Sequence, residues 1–404
     1  MKCGLLGRKL GHSFSPKIHA HLGNYSYELF EREPEELEDF LRNSDWTGIN
    51  VTIPYKKDVI PYLDELSPIA AKLGAVNTII RREGRLIGHN TDYFGFKEMV
   101  RSSGLDLAGK KALVLGTGGA SKPVIAALED LGANVISISR SGENNYGNLH
   151  RHTDAAVIVN ATPVGMYPQT GMAPVEISQF PKLEGVLDIV YNPARTQLLL
   201  DAEKRGLVTV NGLLMLVAQA KEASEWFQGK TLEDNLITTI HTDLRRQTEN
   251  IVLIGMPGCG KTTVGKALAD RLGKTFVDAD EELVKMAGKS IPEIFSEDGE
   301  EVFRAWETKV LDELGKKSGL ILSTGGGCVT RERNYPLIHQ NGTIFWLQRD
   351  LGKLPTDGRP LSQTGKLAAM YEIRRPLYAA FADAAIDNDG PLEDTLTQIM
   401  EEFK

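Results

Sequence analysis

Cysteine is scarce in this sequence: 404 residues contain only Cys3, Cys259 and Cys328. An odd number without CxxC spacing offers neither a disulfide framework nor a zinc ribbon, and implies reduced thiols. Long apolar runs are missing as well. None approaches the roughly 18 residues needed to cross a bilayer, and the apolar stretch in MKCGLLGRKLGHS is too short for a secretion signal, so the reading is a cytoplasmic chain with no membrane partner. Excess positive charge is also lacking. A net charge of −8 does not supply the basic surface that a general nucleic-acid binder needs, although local arginines and lysines leave small anions open as ligands. Low-complexity segments and short-period repeats are absent.

What remains is ordinary globular material, 41% hydrophobic and 25% charged, on a chain too long for one core. The acidic run at residues 31–39 (EREPEELED) reads as a solvated helical face rather than a metal site. Residues 110–116 (KKALVLG) read as a buried strand, followed by a glycine turn and a helix over 121–131. The same grammar recurs after residue 249, with a strand at 250–254 (NIVLI), a glycine-rich turn at 255–260 and a helix over 261–272. Between these two nucleotide-type units, residues 238–249 (TTIHTDLRRQTE) are polar and lack sustained periodicity, which predicts a linker there.

The first turn, Gly116-Thr117-Gly118-Gly119-Ala120-Ser121, follows a strand and opens a helix, so its backbone N–H groups suit a pyrophosphate. The third glycine of GxGxxG is missing, which leaves a ligand-free turn as the alternative. The next strand ends at Arg140, where an NAD-selective site usually places an acidic residue. Arginine there suits a 2′-phosphate and favours NADP(H). The second turn, Gly255-Met256-Pro257-Gly258-Cys259-Gly260-Lys261-Thr262, satisfies GxxxxGK[ST] between a strand and a helix. It predicts ATP, with Lys261 reaching the phosphates and Thr262 binding Mg²⁺. Cys259 reads as a small loop residue.

In the N-terminal half, Gly11-His12-Ser13-Phe14-Ser15-Pro16, Asn50-Val51-Thr52-Ile53-Pro54-Tyr55-Lys56, Gly74-Ala75-Val76-Asn77-Thr78, Asn90-Thr91-Asp92, residues 160–166 (NATPVGM) and residues 211–220 (NGLLMLVAQA) occur in order. Together they resemble shikimate dehydrogenase over nearly all of residues 1–235. The resemblance implies NADPH-dependent reduction of 3-dehydroshikimate to shikimate, with Lys56 handling the proton and Asp92 orienting it. It places Ser13, Ser15, Thr52, Asn77 and Gln219 on substrate, Tyr191 in the cleft, and Gly212 and Met215 at the cofactor. Ser15 before Pro16 could instead cap a helix. Two departures stand out. No second basic residue follows Arg140, and residues 140–160 are short, as though a helix were reduced; His150 and His152 in this stretch read as surface residues.

In the C-terminal half, Asp278-Ala279-Asp280, residues 299–307 (GEEVFRAWE), residues 323–327 (STGGG), Arg359-Pro360-Leu361 and residues 374–378 (RRPLY) resemble shikimate kinase over residues 250–404. The resemblance implies ATP-dependent phosphorylation of shikimate to shikimate 3-phosphate. Asp280 would orient or deprotonate the attacking hydroxyl, Asp278 would support Mg²⁺, and Arg304 and Arg374 would clamp the carboxylate. Gly325, Gly326 and Gly327 would let backbone approach substrate, and Arg359 would arrive on a closing lid. Gly258, Cys259, Gly260, Lys261, Thr262 and Thr263 would hold the nucleotide. The lid segment 350–358 (DLGKLPTDG) looks short.

The expected architecture is α/β throughout. A substrate-binding domain spans residues 1–100, a Rossmann-like NADP domain 101–205, helices returning to the first domain 206–237, a linker 238–249 and a P-loop kinase domain 250–404. Small molecules are the expected partners, and oligomeric state is not legible. Two other readings keep both folds: a catalytically degraded sensor of ring acids, and a quinate dehydrogenase fused to the kinase. Intact Lys56, Asp92, Lys261, Thr262, Asp280, Arg304 and Arg374 oppose the first, and Ser13 with Ser15 favour shikimate over quinate.

Overall fold

A computed structural model describes residues 1–11, 13–354 and 366–403, so Arg359 and most of the segment that follows Leu354 lie outside the described residues. The first sheet contains β1 (Lys2–Gly7), β2 (Ser26–Glu31), β3 (Gly48–Val51), β4 (Glu65–Leu66), β5 (Thr78–Arg82) and β6 (Arg85–His89), ordered β2-β1-β3-β5-β6-β4. β1 runs parallel to β2 and β3, whereas β5 is antiparallel to β3 and β6.

The second sheet contains β7 (Lys111–Leu115), β8 (Asn134–Ile138), β9 (Val157–Asn160), β10 (Gly185–Asp188) and β11 (Val208–Val210), ordered β11-β10-β9-β7-β8 with every pair parallel. Alternate residues of β7 enter different cores. Ala112 and Val114 join one apolar cluster and Leu113 and Leu115 join another, as a sheet covered on both faces requires. Strand order reverses at β7, which puts the glycine turn after it at the crevice where open α/β sheets bind ligands. Only the 3₁₀ helix Tyr146–His152 follows β8, so the shortened stretch does carry a reduced helix. His152 is not a surface residue: it is buried, and its Nε2 lies 2.9 Å from Asn144 Oδ1.

The third sheet contains β12 (Asn250–Ile254), β13 (Thr275–Asp278), β14 (Leu320–Ser323), β15 (Gly342–Gln348) and β16 (Ala384–Asp387), ordered β13-β14-β12-β15-β16 and wholly parallel. Every residue of β12 is buried, which explains its unbroken run of branched apolar side chains.

Internal contacts divide the chain into two units. One comprises Met1–Met166, Met172–Tyr191 and Leu198–Asp243; the other comprises Tyr167–Gly171, Asn192–Gln197 and Leu244–Lys404. The linker expected at residues 238–249 contains the division between the two units, after Asp243, and most of it is helical, within Asn235–Thr248. Its polar composition hides an apolar stripe, Ile237, Ile240 and Leu244, all buried and spaced for one helical face. Among the described residues no helix is long and apolar enough to cross a membrane.

Candidate active sites

In the first unit, Lys56 sits in the turn after β3, its carbonyl accepting from Val76 N at 2.7 Å. Asp92 opens the helix Asp92–Ser103, whose N-terminal turn favours a carboxylate. The two side chains meet at 2.6 Å, Lys56 22% and Asp92 14% exposed. The helix Leu213–Gln228 lies against this helix so closely that a Cβ on Gly95 would come within 2.6 Å of Met215 O and 2.9 Å of Gln219 Cβ. That approach brings Gln219 to the site.

Two sets of hydrogen bonds tie expected substrate residues. Ser15 N donates to Ser13 Oγ at 3.2 Å. Tyr27 donates to Asn50 Oδ1 at 2.7 Å, Asn50 Nδ2 to Thr78 Oγ1 at 3.2 Å, and Thr78 to Asn77 Oδ1 at 3.1 Å. Asn77 Oδ1 accepts from Thr91 N at 2.7 Å, and Thr91 Oγ1 donates to Gln219 Oε1 at 3.2 Å. Ser15 makes no helix cap, so that alternative falls. Thr52 is tied by its backbone N to Leu6 O at 2.9 Å. Tyr191 stands 5.9 Å from Phe14, ring to ring, and burial pushes its hydroxyl pKa up.

At the glycine turn, Gly116 has φ +102° and a Cβ there would lie 2.8 Å from Thr162 Cγ2, so the tight turn requires glycine. Thr117, Gly118 and Gly119 are exposed. A Cβ on Gly118 or Gly119 would meet nothing within 4 Å, which leaves the outer face free for a pyrophosphate at the start of the helix Ser121–Asp130. Ala120 caps that helix, and the Ser121 hydroxyl donates to Gly118 O at 2.7 Å, so Ser121 shapes the turn. Arg140 is exposed just beyond β8. The residues therefore fit a phosphorylated dinucleotide. Gly212 presses on Ile189, where a Cβ would lie 2.0 Å from its carbonyl oxygen. Met215 is buried in the apolar cluster with Phe96 and Val124.

In the second unit a cavity of about 780 Å³ runs from the P-loop to the start of the loop that follows β14. Pro257, Gly258, Gly260, Lys261, Thr262 and Thr263 form one wall; Asp278, Asp280, Arg304 and Arg374 stand on the others. Lys261 Nζ donates to Gly255 O at 2.9 Å and Met256 O at 3.1 Å, bracing the loop. Cys259 is fully buried, consistent with a small loop residue. Thr262 donates to Asp278 Oδ2 at 3.1 Å, while Asp278 Oδ1 accepts from Asp280 N at 3.0 Å. One hydroxyl and one carboxylate are hard oxygen donors that fit Mg²⁺. Among the described residues no group of three or more His, Cys, Asp or Glu could hold a metal, so the other ligands would have to be phosphate and water.

Burial, and then the neighbouring Asp278 carboxylate, hold Asp280 above the usual carboxylate range despite Lys261 and Arg304. Arg304 is buried and donates to Glu307 Oε2 at 2.9 Å and Glu300 Oε1 at 3.2 Å. Arg374 donates to Gly326 O at 3.1 Å. The three glycines face the site's own side chains: a Cβ on Gly325 would lie 2.9 Å from Asp280 Oδ1, one on Gly326 2.7 Å from Pro257 Cδ, and one on Gly327 2.2 Å from Arg304 Nη1. They permit close packing of the protein on itself at the cavity edge, a nearer cause than approach to a ligand.

Two residues that lie inside the matched motifs receive no role from the sequence. Thr91, of Asn90-Thr91-Asp92, bridges Asn77 and Gln219. Glu307 lines the cavity with Oε1 buried and, among the described residues, without a hydrogen-bond partner, and burial raises its pKa. Its spacing of three from Arg304 on a helix is the signal that marks it.

Fold and sites together define a dinucleotide-dependent oxidoreductase and a P-loop phosphotransferase on one chain. A family model for the shikimate dehydrogenase substrate binding domain matches residues 5–79, and one for shikimate kinase matches residues 257–404. A shikimate dehydrogenase (NADP(+)) of Clostridium perfringens (strain SM101 / Type A) is 37% identical over 264 residues, covering 60% of this chain and 97% of that protein. The crystal structure of shikimate dehydrogenase 1 from Peptoclostridium difficile is 37% identical with a TM-score of 0.56, covering 60% of this chain and 97% of that one. The shikimate 5-dehydrogenase of Thermus thermophilus, solved with NADP(H) and shikimate, is 32% identical with a TM-score of 0.55, covering 60% of this chain and 99% of that one. The chain belongs to the shikimate dehydrogenase family and carries a shikimate kinase domain at its C-terminal end.

Proposed function

We propose that this chain reduces 3-dehydroshikimate to shikimate with NADPH and phosphorylates shikimate with ATP to give shikimate 3-phosphate. The observation that carries the proposal is the presence, on one chain, of the Lys56–Asp92 pair beside a hydroxyl and amide network and of a P-loop cavity holding Asp280, Arg304 and Arg374.

In the first reaction NADPH, when bound, supplies the hydride. Lys56 gives a proton to the carbonyl oxygen as it becomes a hydroxyl, and Asp92 holds the ammonium in place. Ser13, Ser15, Thr52, Asn77 and Gln219 take the ring hydroxyls and carboxylate, with Tyr191 on the cleft wall. Polar groups set by mutual hydrogen bonds reject an analogue that leaves them unpaired. Gly116 to Ser121 take the pyrophosphate, Arg140 takes the 2′-phosphate, and Gly212 and Met215 are assigned to the cofactor on the resemblance alone.

In the second reaction Asp280 accepts the proton of the attacking hydroxyl as its oxygen bonds the γ-phosphorus and ADP departs. Gly258 to Thr263 cradle the phosphates, Lys261 leaving its carbonyl partners to meet them. Thr262 and Asp278 would hold Mg²⁺, which neutralises phosphate charge when bound. Arg304, kept extended by Glu307, and Arg374 pair with the ring carboxylate. Arg359 is assigned to the transferring phosphate on the resemblance alone. The three cysteines are free and buried, which supports a reducing, cytoplasmic location.

The test is direct: purified chain given 3-dehydroshikimate and NADPH should consume the cofactor, and adding Mg-ATP should yield a phosphorylated ring acid. Absence of either product rejects that half of the reading.

A further inference from the structure

Arg349 follows β15 by one residue, at the carboxyl end of the third sheet. It lines the same cavity as Gly258, Gly260, Lys261 and Thr262. A Cβ built on Gly260 would lie 3.6 Å from Arg349 Nη1 and 2.8 Å from Asn388 Nδ2. The guanidinium and the amide thus flank the P-loop from two different strand ends.

The other polar groups on that side are engaged. Asn388 Nδ2 donates to Cys259 O at 2.6 Å, and its Oδ1 accepts from Thr395 at 2.8 Å. Lys353 pairs with Asp389 at 3.3 Å and donates to Asp389 O at 3.2 Å. Arg349 differs. Its charge acts on the Asp389 carboxylate, yet its Nε is buried and, among the described residues, has no hydrogen-bond partner. A cationic donor left unmet beside a cavity is costly, so it marks a place where an acceptor belongs. The adjacent backbone is the loop that cradles phosphates, and a guanidinium fork matches two phosphate oxygens. Arg304 and Arg374, by contrast, converge on the glycine loop after β14, which separates a ring-acid end of the cavity from a nucleotide end.

We propose that Arg349 is a nucleotide-binding residue of the kinase site, turning its guanidinium onto phosphate oxygens of ATP at the outer side of the P-loop. This rests on the kinase reading above. The side chain leaves from the end of a strand beside the P-loop, and a contact made equally to bound ATP and to the transition state acts in binding rather than in the chemical step.

The test compares full-length wild type with Arg349→Ala and Arg349→Lys. KM and kcat are measured for Mg-ATP and shikimate, and calorimetry gives Kd for ADP and for inorganic tripolyphosphate. The dehydrogenase rate of each preparation reports on the intact chain. Arg349→Ala should raise KM for Mg-ATP and both dissociation constants by about tenfold or more, leaving shikimate KM and kcat near wild type. Arg349→Lys should recover part of the loss, as a point charge without the fork. Wild-type values for Mg-ATP, ADP and tripolyphosphate in Arg349→Ala overturn the proposal. Weaker ADP with unchanged tripolyphosphate also overturns it, because the side chain then acts on the nucleoside. If wild type binds both phosphate probes through Arg349 but does not phosphorylate shikimate, the kinase reading has failed while this contact stands.

Discussion

Lys56 Nζ and Asp92 Oδ2 lie 2.6 Å apart across 36 residues of sequence, one from a turn after a strand and the other from the first turn of a helix. Neither element alone would hold the lysine, so the pair fixes an ammonium at the edge of the polar network. Lys56→Ala should lower dehydrogenase kcat by about a hundredfold or more, with a smaller change in KM, because proton transfer acts chiefly in the transition state. Steady-state kinetics decide it. Turnover at the wild-type level would make this a structural ion pair.

Arg140 is the exposed base beyond β8, and the turn that follows it carries Glu143 and no further base. NADPH should be preferred to NADH, and Arg140→Ala should reduce the ratio of kcat/KM values by about tenfold, the scale of one charge-assisted hydrogen bond. Equal ratios in wild type and variant would place the 2′-phosphate elsewhere.

Asp280 must be ionised to accept a proton, and burial with the Asp278 carboxylate holds its pKa above that of an ordinary aspartate. Kinase kcat/KM for shikimate should therefore fall on the acid side at a higher pH than an unperturbed carboxylate would give. Asp278→Asn should raise the Mg²⁺ concentration needed for half-maximal kinase rate, because it removes a carboxylate expected to hold the ion. An acid limb at the pH of an ordinary carboxylate would show that another group sets it.

The sequence was most legible where burial is uniform. Residues 250–254 form β12 residue for residue because all five are covered, and the GKT motif opens the helix Lys261–Leu272 between two glycines in the left-handed region. Polar contacts between distant segments were not legible: nothing local announces that Thr91 reaches Gln219, 128 residues on. The helix Asn235–Thr248 was hidden for a different reason, since three buried aliphatics at helical spacing are diluted by eleven mostly polar neighbours. Ile240→Ala tests the packing of that stripe. It should destabilise the chain by about 2–5 kcal/mol as a core truncation, seen as a lower thermal unfolding midpoint; an exposed linker would show no shift.

On the function proposed above, one chain carries two separate chemistries. The most direct measurement follows NADPH and shikimate 3-phosphate together in full-length chain given 3-dehydroshikimate, NADPH and Mg-ATP. Wild type should consume NADPH and form the phosphorylated acid. Lys56→Ala should lose the first step but still phosphorylate added shikimate, and Lys261→Ala should consume NADPH and stop at shikimate. If either substitution abolishes both reactions in a folded chain, or wild type forms no shikimate 3-phosphate, the account is contradicted.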